Sequence, residues 1–382
     1  MEQKLTENDA QRNWGIDALR MLAMFMVLIL HILRQDGVLS ASQQFPVQYK
    51  AAWLLEIAAY CAVNCYALIS GYVGVRSLYR YANIVGLWLR VVFYTVIITG
   101  IFQVVMPEAV GTQEWIKAIF PVMNGQYWFF TAYFAMFFFV PVANAAAEKL
   151  TKKQYTALLM GLFIVMSFLP TAFRNDAFQM NSGYCAAWLL VLYMAGGYLK
   201  RYGLLEQKAK LFWFAAYLTL IMATWLSKLV LETHGHNGNV LVSYTSPTIV
   251  FAAVALVQLF KLLRIPTAAV RWIKLFAPAA FSVYLIHAHS LMWGAIKKRL
   301  PVFTAYHPCK LLATVVLDAA IIFVACLLID ILRQKLFKVL KIKELLAVLE
   351  NRLLGPLWKE KRAPHLPVTT GESEHGKDHT RG

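Results

Sequence analysis

Charge is scarce in this chain. Asp, Glu, Lys and Arg make up 15% of its 382 residues, and hydrophobic residues make up 59%. Soluble domains carry about a quarter charged residues, so this balance excludes an ordinary water-soluble globule. Acidic residues are rarest, 20 against 37 Lys and Arg, for a formal net charge of +17. In a soluble protein that excess would point to nucleic acid; here it is better explained by membrane topology and a basic tail, with no nucleic-acid partner. Cysteine is sparse too. Cys61, Cys65, Cys185, Cys309 and Cys326 show no metal-ligand spacing, and most sit inside apolar runs as small hydrophobes. Short segments of alternating polarity are missing, which removes a membrane β-barrel. There is no solenoid repeat. Gly196-Gly197 lacks the rest of a nucleotide-binding fingerprint and reads as a point of close helix packing.

What the chain does have is long apolar blocks, each approaching the ~20 residues that cross ~30 Å of hydrocarbon as a helix. Ten spans are predicted: Trp14–Leu33, Ala52–Val75, Ile84–Val105, Tyr127–Ala147, Tyr155–Thr171, Tyr184–Leu199, Leu211–Leu231, Ser246–Leu263, Trp272–Ile296 and Leu311–Leu332. The fold class is therefore all-α, a polytopic integral membrane bundle of about ten transmembrane helices. The fifth and sixth spans are short enough for the fold to bury them away from lipid. The first apolar run has no small-residue cleavage site after it and reads as a signal anchor. Ten spans put both termini on one side. With the N-terminus inside, inner segments before the tail hold 15 Lys and Arg against 9 outside, so both termini are expected in the cytoplasm. The outer cluster Lys297, Lys298, Arg299 and Lys310 runs against this rule and reads as a solvated loop. Domain boundaries follow: a cytoplasmic N-terminus over 1–13, a membrane domain over 14–332, a basic amphipathic segment on the inner leaflet lipids over 333–361, and a disordered tail over 362–382.

An ionisable side chain inside a span is costly, and so a functional candidate by default. The first span has three: Asp17, Arg20 and His31. Arg20 and His31 are eleven residues apart, three helical turns with a residual of roughly 20°, so they share a face about 16 Å apart along the axis. Asp17, three residues before Arg20, lies on the same face. A polar stripe of this kind must face the bundle interior. It admits two readings. Asp17 and Arg20 form an interfacial ion pair, with Arg20 snorkelling to phosphates and His31 a satisfied core residue. Alternatively, His31 is a general base that takes a proton from a hydroxyl, with Arg20 orienting an anionic or electron-rich partner. His234 and His236 flank Gly235 in an outer loop with no third ligand nearby, and read as a turn. Glu56, Lys228 and Asp318 are further intramembrane charges with no evident role.

The run Ile16-Asp17-Ala18-Leu19-Arg20 through His31 resembles the opening of the membrane acyltransferase 3 family, an Arg, ten residues, then His. Asn64 through Ser70-Gly71-Tyr72 resembles that family's second-helix ending. Arg90 with Tyr94 resembles its basic third-helix segment, although Leu87 stands where the family often has a second Arg. Tyr127-Trp128-Phe129-Phe130 with Tyr133, Pro141 and Asn144, then Tyr244-Thr245-Ser246-Pro247, and Ser282-Val283-Tyr284-Leu285-Ile286-His287 follow in the family's order. The resemblance covers roughly Asn13 to Leu332. It implies transfer of an acyl group, often acetyl from acetyl-CoA, to a glycan hydroxyl at or beyond the bacterial inner membrane, with no bound cofactor. It implies catalytic roles for His31 and Arg20, and substrate-binding roles for Asp17, Arg90, Trp128, Tyr284 and His287. A separate extracytoplasmic acyltransferase could complete the transfer, as a fused domain does in some relatives.

Two other classes stay open on the residues alone. Intramembrane Asp, Arg and His also serve proton-coupled transporters of a small solute or glycan precursor, though the two related halves with interrupted helices expected there are not visible. A membrane sensor would need a larger output domain than this tail provides.

Overall fold

The computed structural model describes residues 12–296 and 304–359, and among these every regular element is a helix. The Lys297–Arg299 cluster, the first eleven residues and the tail from 360 lie outside the described residues. Among the described residues, seven helices are long and apolar enough to span a membrane, and an eighth span results if one bent pair is counted as a unit.

Helix α1 runs Trp14–Gln35. Asn13 caps it by accepting the Ile16 amide at 3.2 Å, one of the four N-terminal donors a helix leaves unpaired. The second span is two consecutive helices, α2 Pro46–Tyr60 and α3 Ala62–Gly74, joined at Cys61. Helix α4 spans Tyr81–Val105, and a short amphipathic α5, Thr112–Ile119, follows. The fourth predicted span is bent by 54° between α6, Trp128–Phe137, and α7, Val140–Lys149. Pro141 explains the bend: it has no amide hydrogen to donate, and its ring clashes with the preceding turn.

The fifth predicted span departs from expectation. It extends over Lys152–Phe173, 22 residues with only 6% of its apolar window buried. Within it α8, Lys152–Phe163, passes into a π-helical turn, Ile164–Phe168, before Pro170. Thr151 and Gln154 form a capping box at its start, which adds a helical turn before Tyr155. Its outward residues, among them Leu158, Met160, Ile164 and Phe168, are exposed and apolar, the face a helix turns to lipid. The sixth, by contrast, is the buried one. Helix α9, Ala186–Tyr202, has Trp188, Leu189, Leu192 and Tyr193 in the core. It packs very closely on α3: a Cβ on Gly196 would lie 2.0 Å from the Leu68 carbonyl oxygen, and one on Gly71 1.8 Å from that of Tyr193. Only glycine admits two backbones at that distance.

Helix α10, Lys210–Thr233, pairs with α11, Pro247–Lys261, which is only 15 residues long. The ninth predicted span is broken into α12, Thr267–Phe276, α13, Ala280–His287, and α14, Ser290–Ile296. A 3-10 turn at Ala277–Ala279 containing Pro278 makes the first break. Helix α15, Pro308–Val339, continues seven residues past the predicted end at Leu332. Arg333 does not end it because its charge is matched within the bundle: it meets Asp330 at 2.6 and 3.0 Å, and Asp330 also accepts from Tyr94 at 2.7 Å. The break comes at Lys341, with φ of 50°, and α16, Ile342–Lys359, then docks on α4 through a Glu350–Arg80 ion pair at 2.9 Å.

Helix α1 is the axis of this arrangement. It touches α2, α3, α11, α13 and α15, so side chains on several of its faces meet protein rather than lipid.

Candidate active site

Arg20, Met24, Val27 and His31 recur at intervals of four, three and four along α1, one face of a helix. Met24, Val27, Leu30 and His31 line a narrow, mostly apolar cavity of about 400 Å³ including its mouth. Val63 and Tyr66 from α3, Trp128 and Phe129 from α6, Tyr244 and Tyr284 complete it.

His31 meets His287 across the α1–α13 contact, Nδ1 to Nε2 at 2.9 Å. The other nitrogen of His287, Nδ1, lies 2.6 Å from the Val283 carbonyl oxygen. A carbonyl only accepts, so His287 Nδ1 carries the hydrogen. In a neutral ring Nε2 of His287 is then an acceptor, which assigns the hydrogen of His31 to Nδ1. His31 Nε2 is left with a free lone pair. This tautomer is fixed by the partners, in the way a second group orients a general base. Tyr284 and Trp293 pack on the His31 ring at 6.1 and 6.0 Å between centroids, and His287 is 1% exposed. Tyr127 holds α13 in place by donating to the Leu285 carbonyl at 2.7 Å.

The outer wall is aromatic. Trp128 lies 4.4 Å from Tyr184 and stacks on Tyr244 at 5.9 Å. Tyr244 is seated by its backbone, whose carbonyl accepts from Asn64 at 2.8 Å. Gly183, at φ of +95°, lets it approach: a Cβ there would sit 2.6 Å from that of Tyr244. Burial pushes the Tyr244 phenol well above its ordinary value, so it lines the cavity as a neutral hydroxyl.

Of the residues singled out in the sequence, His31, Trp128, Tyr284 and His287 converge. Arg20 does not touch His31; it stands further along the stripe, paired with Asp17 at 2.8 Å. The other Asp17 oxygen takes Arg12 at 2.5 Å, so Asp17 is fully engaged in positioning arginines. Arg90 stands apart. It donates to the Pro278 carbonyl at 3.3 Å, and its Nε is buried without a partner. Arg333 of α15 is close enough to act on it electrostatically, so a second guanidinium does stand near Arg90, supplied from 243 positions along the chain rather than three. Sequence reasoning also missed Arg34, which pairs with the fully buried Glu56 and lies 5.2 Å over the Tyr60 ring. Its signal was available: Arg34 is three residues beyond His31, and Glu56 is a charge inside a span. Lys228 is partnered by Glu232 at 2.5 Å, Asn239 at 3.0 Å and the Trp53 ring at 3.6 Å. Among the described residues, no three His, Cys, Asp or Glu side chains converge as a metal site would require.

No curated protein and no solved structure matches the chain. Residues 13–333, from the cap of α1 to the buried Arg333, match the family described as an acyltransferase domain. The chain is thus a membrane acyltransferase, a member of the membrane acyltransferase 3 family.

Proposed function

We propose that this enzyme transfers an acyl group, acetyl from acetyl-CoA in the simplest case, to a hydroxyl of a cell-surface polysaccharide or its precursor. The observation that carries the reading is the Val283–His287–His31 hydrogen-bond chain, which leaves His31 Nε2 free in a cavity between helices. In the reaction, Nε2 takes the proton of the acceptor hydroxyl as its oxygen attacks the thioester carbonyl. The tetrahedral intermediate then collapses, the C–S bond breaks, and the imidazolium returns the proton to the departing thiolate. The ester and free CoA are the products, and His31 ends neutral. Positioned bases of this kind contribute about 10²–10⁴ in rate. Arg20 lies on the same stripe about 16 Å from His31, a distance that suits phosphates held at one end of a long pantetheine arm and a thioester at the other.

The setting proposed with it is a bacterial inner membrane, with both termini cytoplasmic and ten helical units crossing. The short α9 and α11 count as crossings because each is packed within the bundle, where the lipid thickness need not be met by one helix alone. Inner-leaflet lipids would take the basic face of α16. A separate extracytoplasmic acyltransferase remains a compatible partner for a later transfer step.

The test is acetyl transfer to the glycan fraction in membrane vesicles supplied with labelled acetyl-CoA. His31→Ala and His31→Gln both abolish transfer while protein level and insertion stay near normal, because an amide cannot take a proton at neutral pH. Transfer at the wild-type rate by the Gln variant removes His31 as the base.

A further inference from the structure

A basic groove lies where α10 begins and α11 ends, apart from the His31 cavity. It encloses about 1260 Å³ including its mouth. Lys208, Lys210 and Leu211 line one side, and Lys261 and Arg264 the other. Glu206 pairs with Lys261 at 2.5 Å. Lys208, Lys210 and Arg264 are exposed, and no carboxylate among the described residues pairs with them. Lys208 stands over the Phe212 ring at 5.3 Å. Ala209 precedes α10 without a side-chain cap, so the first amides of this 24-residue helix add partial positive charge at the same place. From the groove, α10 runs along the outside of the bundle, with only 17% of its apolar window buried. Leu211, Phe214, Leu218 and Met222 recur at intervals of three and four as one exposed apolar stripe, which starts at the groove wall.

We propose that this groove is the headgroup site of an anionic phospholipid, with the phosphates among Lys208, Lys210 and Arg264 and the acyl chains along the α10 stripe. The site is separate from the acyl-transfer chemistry and does not rest on it. Charge and shape together select the ligand. A basic pocket between helix ends at the membrane surface suits a phosphate headgroup. A zwitterionic lipid has no net charge to answer three unmatched cations. Free phosphate or a nucleotide answers the charge but has nothing to lay on the apolar stripe. One phosphodiester leaves two of the cations unanswered, so a lipid with two phosphates is held more tightly than a lipid with one. The groove also borders the seat of α1. The Lys261 carbonyl accepts from the Asn13 side chain at 3.0 Å, and a Cβ on Gly15 would lie 1.9 Å from the Phe260 carbonyl oxygen. A lipid bound here therefore ties α10 to α11 at the joint that holds the start of α1.

The test is native mass spectrometry of the full-length protein in an uncharged detergent, titrated with cardiolipin, phosphatidylglycerol or phosphatidylcholine. Cardiolipin binds most tightly, phosphatidylglycerol next and phosphatidylcholine least. The triple variant Lys208→Ala, Lys210→Ala and Arg264→Ala weakens the tightest cardiolipin by about 100-fold, since each cation near a membrane surface contributes about fivefold. These three side chains are exposed, so the variant folds, and replacing both lysines by Arg keeps the affinity. A second triple variant, Lys338→Ala, Lys343→Ala and Arg352→Ala, removes basic groups in and beside α16 and leaves the tightest cardiolipin in place. Inorganic phosphate and acyl-free CoA do not displace it. Phosphatidylcholine bound as tightly as cardiolipin, or an unchanged affinity in the groove variant, overturns the proposal. So does a loss found in the α16 variant instead, which places the lipid there. Displacement by CoA overturns it as well, since the groove is then a nucleotide site, and displacement by phosphate shows a site for free anions.

Discussion

His287 offers the sharpest test of how the histidine pair works. Replacing it by Leu removes the acceptor of His31 Nδ1–H, now met at 2.9 Å. Either that donor stays buried and unpaired, at a cost of about 1–3 kcal/mol, or the hydrogen moves to Nε2 and the lone pair faces the wrong way. At about 1.4 kcal/mol per factor of ten, the first outcome lowers the transfer rate roughly 5- to 150-fold, and the second lowers it further. Replacing His287 by Gln is different. Its side-chain oxygen can stand near the present Nε2 position and accept from His31, so the tautomer survives and activity stays within about tenfold of wild type. His31→Gln, by contrast, abolishes transfer. The assay is initial-rate acetyl transfer in vesicles normalised to protein level, with Leu and Gln at position 287 measured side by side. A wild-type rate for His287→Leu would falsify the pairing argument. A dead His287→Gln beside an active His31→Gln would show that the roles of the two rings are reversed.

Three other perturbations probe the rest of the molecule. Arg20→Ala weakens acetyl-CoA binding in an isothermal titration without unfolding the protein, and unchanged affinity removes Arg20 as a donor contact. Reporter fusions at His236 and at Gly382 fall on opposite sides of the membrane; finding both on one side breaks the ten-span arrangement. Arg333→Leu leaves Asp330, which is 0% exposed, without its guanidinium, and costs about 3–5 kcal/mol in unfolding measured in detergent. The double variant Asp330→Asn with Arg333→Leu recovers much of that, and failure to recover means that the pair is not the source of the loss.

The helices were legible in the sequence because a helix is set by its own residues. Apolar blocks gave each of the ten predicted spans a helical counterpart, and the eleven-residue spacing of Arg20 and His31 put both on one stripe of α1 before any partner was known. The errors fell where local pattern meets tertiary context. Leu332 looked like an end because a charged residue follows it, but the partner that keeps Arg333 inside is matched by Tyr94, far away in the chain. The ninth block looked continuous because it is largely apolar on both sides of its breaks at Pro278 and at His287. The fifth looked short and buried, and is long and turned outward, since hydropathy does not say which neighbour covers a helix.

Sequence alone therefore determined that this is a helical membrane protein, which acyltransferase family it resembles, and which face of α1 carries its ionisable groups. Only the tertiary structure decided what those groups meet. His31 and His287 are 256 residues apart and touch. Arg34 finds Glu56, and Arg333 stands near Arg90, through contacts that no spacing announces. The reason is physical. Helical periodicity is fixed within a few residues by backbone geometry. Which stripe faces which depends on how closely helices approach, and that is set by packing across the bundle, as where Gly71 and Gly196 let α3 and α9 meet backbone to backbone.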